Sequence, residues 1–156
     1  MGINKRQIIT GIVILLTGTL VYVADRPIES TLFMSTFCPA ISLYNKIPSV
    51  FGIFGNNLPA LSHVFAFSLL TSGFVRARKT TYLIICLFWV FINSLCELGQ
   101  KFNSFANNIL PQGNLQSFFL NGTFDYLDIY AFIVGGTLAY TFLIFTGNKE
   151  SQYEQF

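Results

Sequence analysis

Charge is what this sequence has least of. Asp, Glu, Lys and Arg make up 10% of 156 residues, against about a quarter in an ordinary soluble domain. A water-soluble fold this poor in charge could not cover its surface, so lipid is the natural solvent for the 53% of residues that are hydrophobic. The net charge of +2 comes without a basic block or interleaved aromatics, which argues against nucleic acid as a partner. The three cysteines (Cys38, Cys86 and Cys96) form no CxxC pair and read as small apolar packing residues. One histidine excludes two-His metal motifs, and there is no HExxH, GxSxG or P-loop. No metal site or cofactor is therefore expected. Low-complexity tracts and fixed-period repeats are also missing.

What is there is apolar and comes in runs. Four segments, about 8–24, 58–74, 81–98 and 125–145, have close to the length that crosses a bilayer. They predict a single all-α membrane domain of four transmembrane helices. The first could be a cleaved leader, but Tyr22 is bulky at the cleavage position, which favours a retained helix. Basic residues then set the sidedness. Lys5 and Arg6 precede the first run; Arg76, Arg78 and Lys79 link the second to the third; Lys149 follows the fourth. With four crossings all three groups fall on one side, so both termini are expected in the cytoplasm. The long first outer loop is rich in Phe and Ile yet broken by Pro39, Pro48 and Gly/Asn clusters. It is expected to be an irregular or interfacial flap rather than a span.

Polar residues inside the apolar runs are the next signal. "FINSLCELGQ" carries Asn93, Glu97 and Gln100 at i, i+4 and i+7, one stripe of a helix. His63 lies one to two turns into the second run, and Asp125 and Asp128 open the fourth. In a four-span topology all six fall in the outer leaflet, with nothing comparable in the cytoplasmic half. A charge at mid-helix costs about 2.5–3.5 kcal/mol on insertion scales, so the stripe should face the bundle interior. Asp128 shares a face with Ala131, Gly135 and Ala139, the small-xxx-small spacing of closely packed membrane helices. Asp125 also suits a helix cap.

The order "LSHVFAFSLL", "CELGQ", "GTFDYLDIYAFIVGGTLAY" resembles the VanZ-like membrane proteins over about 58–145. His63, Glu97, Gln100, Asp128 and Gly135 match that pattern by position. The chain departs from it at Thr123, where family members often have Arg, and at Phe132, where they often have Asn. The family takes its name from a protein associated with glycopeptide (teicoplanin) resistance. The resemblance implies a bacterial cytoplasmic (inner) membrane protein with a role in the cell envelope. Three functions are open on this reading. The cluster could bind an envelope component such as a lipid-linked headgroup. It could be helix glue in a small structural or assembly subunit that docks another membrane protein. Or His63, Glu97 and Asp128 could serve as acid–base groups of a membrane-embedded enzyme.

Overall fold

The computed structural model describes residues 3–27, 41–75, 78–102 and 107–147. These are helical and irregular, and no strand occurs among them. Helix α1 spans Lys5–Asp25, α2 Leu58–Gly73, α3 Lys79–Lys101, α4 Asn114–Asn121 and α5 Tyr126–Thr146. The expected runs thus appear as α1, α2, α3 and α5, with ends shifted by up to three residues. Three of them, α1, α3 and α5, are long and apolar enough to cross a membrane; α2, with 16 residues, is shorter. Cys38 and the first part of the outer loop, like Lys149 in the tail, lie outside the described residues.

Helix ends follow from local chemistry. Asn4 caps α1, its side chain accepting from the Gln7 amide at 3.3 Å. Asp125 caps α5 by accepting from the Leu127 amide at 2.9 Å. Pro59 sits in the first turn of α2, where its missing N–H has no intrahelical role.

Helix α2 is the centre of the assembly. It packs against α1, α3 and α5, while α1 and α3 make no extended contact with each other. Its buried positions include Ala60, Ser62, Ala66, Ser68, Ser72 and Gly73. Small side chains there let three neighbours approach one short helix. Helix α1 answers with its own small residues. A Cβ at Gly11 would meet Leu70 Cγ at 2.9 Å, and one at Gly18 would meet Ser62 Cβ at 3.0 Å. Helix α5 does the same on two sides. Gly135 abuts the Leu61 carbonyl, where a Cβ would fall at 2.6 Å, and Gly136 abuts Val90 of α3. The expected Ala131–Gly135–Ala139 face is therefore the packing face, and all three residues are buried.

The outer surfaces of the long helices are hydrocarbon. Ile9, Val13 and Leu16 on α1, Ile84, Leu87 and Phe91 on α3, and Ile133 and Phe145 on α5 are exposed. In water such continuous apolar flanks would be unfavourable; in a bilayer they meet lipid tails.

Hydrogen bonds fix which helix ends lie together. The Asn4 amide donates to Gly73 O at 2.9 Å, and Asn4 Nδ2 donates to Thr146 O at 2.9 Å. The start of α1 thus shares one end of the molecule with the ends of α2 and α5. The opposite end gathers the end of α1, the start of α2, the end of α3 and the start of α5. There Asp25 accepts from Ser49 Oγ (2.8 Å) and from the amides of Val50 (2.9 Å) and Phe51 (2.7 Å). These bonds fold residues 49–51 back on α1. A 3-10 helix, Gly52–Asn56, follows and leaves Ile53 and Phe54 exposed at 88% and 83%. The described part of the first loop is accordingly irregular and apolar, as expected, and does not span. Beside it, Phe119 of α4 fills the space over Gly99 of α3.

Candidate functional site

The site is built where α1 ends. Tyr22 lies in the last turn of α1, and Arg26, the extended residue that follows α1 as its C-cap, lies near the starts of α2 and α5 and the end of α3. Arg26 Nη2 donates to the Asn56 carbonyl, while its Nε is buried with no hydrogen-bond partner among the described residues. The guanidinium lies within Coulombic reach of Tyr22, Glu97 and Asp128. Glu97 in turn feels the negative charges of Asp125 and Asp128. Three carboxylates and one guanidinium are therefore coupled at this end of the molecule, with Asp25 and Lys101 beside them.

Each carboxylate has a definite partner. Glu97, 7% exposed, accepts from the backbone amide of Asp125 at 2.6 Å, tying the last turns of α3 to the start of α5. Asp128 accepts from Asn57 Nδ2 at 2.8 Å, tying α5 to the residue before α2. Asp125 spends its side chain on the cap described above. Each carboxylate has a second oxygen, so Glu97 and Asp128 retain acceptor capacity toward a further group.

His63 joins through its ring. It lies half-buried between Tyr22 (centroids 5.7 Å apart) and Phe67 (5.9 Å), and makes no hydrogen bond among the described residues. The stack continues from Phe67 to Trp89 of α3 at 4.8 Å, and Trp89 Nε1 donates to Thr71 Oγ1 at 3.0 Å.

Of the six polar residues expected to converge, Glu97, Asp125 and Asp128 are coupled directly, and His63 reaches them by way of Tyr22. Asn93 lies on the same stripe of α3, but its side chain turns back on its own helix and donates to Trp89 O at 2.8 Å. Gln100 packs over Gly122, beside the cluster rather than in it. Lys101 closes this flank, donating to the Tyr126 hydroxyl at 3.0 Å with its ammonium over the rings of Phe124 and Tyr126. Among the described residues no three His, Cys, Asp or Glu side chains come close enough to hold a metal ion.

Tyr22, Arg26 and Asn57 were not among the expected site residues. Arg26 lies just past the first apolar run as the C-cap of α1, one turn beyond Tyr22. Asn57 directly precedes the second apolar run.

The other end of the molecule holds a different set. No cluster like the charged one was expected there, and the buried polar residues, Gln7, Ser68 and Ser72, are neutral. Gln7 Nε2 donates to Thr146 Oγ1 at 3.2 Å, beside the Asn4 bonds to Gly73 and Thr146. Asn4 and Gln7 tie helix ends together, whereas Ser68 Oγ, Ser72 Oγ and Gln7 Oε1 are buried with no hydrogen-bond partner among the described residues. The signal of Asn4 and Gln7, two amides flanking Lys5 and Arg6, was masked by its position before the first apolar run.

Compared with protein-family models, curated proteins and solved structures, the chain matches none.

Proposed function

We propose that the protein is a VanZ-like, four-span bacterial inner-membrane protein that binds a lipid-linked headgroup of the cell envelope. On this reading the end carrying Arg26, Glu97 and Asp128 faces outward, both termini are cytoplasmic, and α1 is retained because it supplies Tyr22 and Arg26 to the site. The short α2 crosses inside the shelter of its three neighbours.

The observation that carries the reading is the meeting of Arg26, Glu97 and Asp128 from α1, α3 and α5 beside Tyr22 and His63. Ionisable groups within apolar helices are expensive and mark sites by default. Arg26 also brings a guanidinium to the cluster from α1, in a chain that has Thr123 where VanZ-like proteins often carry Arg. The headgroup would take hydrogen bonds from Arg26 and give them to Glu97 and Asp128, while exposed hydrocarbon nearby suits its tails.

A second reading rests on a specific observation. Glu97 and Asp128 both bond across elements, as helix glue in a structural or assembly subunit would. Purification of wild type and Glu97→Gln in mild detergent, with mass spectrometry of the bound lipid, separates the two. The glutamine keeps an oxygen for the Asp125 amide. Loss of a wild-type lipid from a folded variant is expected; an unchanged lipid complement favours glue. Cysteine labelling of Arg78→Cys from outside intact cells should fail, and labelling there would reverse the sidedness.

A further inference from the structure

The stack that holds His63 continues away from the charged end. His63, Phe67 and Thr71 follow one another at four-residue intervals along α2. Tyr22 of α1 covers one end of this stripe and Trp89 of α3 the other. Each of these five side chains is only half-buried. Since α1 and α3 make no extended contact, the stripe is the floor of a cleft between them. On the α3 side, Trp89, Asn93 and Glu97 also follow at four-residue intervals, so the aromatic floor leads past Asn93 to the carboxylate of Glu97.

Polarity changes along this path from three carboxylates and a guanidinium to aromatic rings. That is the profile of an amphiphile lying with its head at the rim and its chain toward the membrane interior. The charges at the rim select among heads. Four carboxylates (Asp25, Glu97, Asp125 and Asp128) against two cations (Arg26 and Lys101) disfavour an anionic phosphate. The same set suits hydroxyls, which donate to the second oxygens of Glu97 and Asp128. Tyr22 offers a ring face as well as a hydroxyl.

We infer that the cleft between α1 and α3 takes a glycolipid, its hydroxyl-rich head at Arg26, Glu97 and Asp128 and its hydrocarbon chain along Phe67 and Trp89. The inference rests on the lipid-binding reading above and narrows it to a ligand class and a route, sideways from the bilayer.

Trp89 is the sole tryptophan, so its fluorescence reports on the cleft floor. Protein in phosphatidylcholine vesicles receives small mole fractions of a glucosyl diacylglycerol brominated in its acyl chains. Equally brominated phosphatidylcholine and phosphatidylglycerol are tested in parallel. The glycolipid is expected to quench Trp89 saturably, at severalfold lower mole fraction than phosphatidylcholine. Glu97→Gln and Arg26→Gln should each return it to the phosphatidylcholine level. Equal quenching by all three lipids, or strongest quenching by phosphatidylglycerol, overturns the inference. If Glu97→Gln strips the co-purifying lipid yet the glycolipid quenches no better than phosphatidylcholine, lipid binding stands and this assignment falls. If the lipid complement is also unchanged, both fall.

Discussion

The two ends of this protein solve the same problem with different chemistry. At one end Asn4, Gln7 and Thr146 join α1, α2 and α5 through neutral amides, hydroxyls and backbone carbonyls. At the other, Glu97, Asp128, Asp125 and Arg26 meet in a half-open cluster. Neutral groups hold membrane helices together at modest cost, since an interhelical hydrogen bond contributes about 0.6 kcal/mol on average and needs no buried charge. The first end shows that this chain can be glued that way. Charges at the second end are therefore more than joining requires, and their excess is what points to a ligand.

Substitutions can break or sharpen that contrast. The largest effect is expected midway between the ends, at Gly135→Val. Its side chain would strike the Leu61 carbonyl, which is backbone and cannot swing aside. A loss of about 3 kcal/mol, the upper range for overpacking, should appear as reduced thermal stability in detergent. A smaller effect is expected at the neutral end. Asn4→Ala removes the α1 cap and the bond to Thr146 O, and should cost about 1 kcal/mol by the same assay. Bound lipid in the surviving folded fraction should be unchanged, because Asn4 lies at the far end from the site. A lipid loss there would erase the distinction between the ends.

Much of the helical layout was legible in the sequence because hydrophobic runs and small-residue spacing act locally. The 58–74 run became Leu58–Gly73, and the Asp128–Gly135 face is set by a helical repeat that any reader can count. Glu97 was legible because an acid in an apolar run has a strong reason to turn inward. Arg26 was not, since its meaning depends on where the end of α1 sits relative to α3 and α5, which no local period encodes. Asn93 misled for the opposite reason. Its spacing fits the stripe, but the Trp89 carbonyl one turn back, with a second lone pair to offer, is a nearer partner than any neighbouring helix. The neutral end escaped notice because a hydropathy reading weighs charges, and Gln7 and Ser72 carry none.

The most direct test measures stability and bound lipid together in the double variant Glu97→Gln, Asp128→Asn. Both replacements keep an acceptor oxygen for the Asp125 amide and the Asn57 side chain, so the helix contacts survive while two charges vanish. The account predicts a thermal midpoint close to wild type and a protein stripped of its co-purifying lipid. A protein that loses stability while keeping its lipid would contradict it.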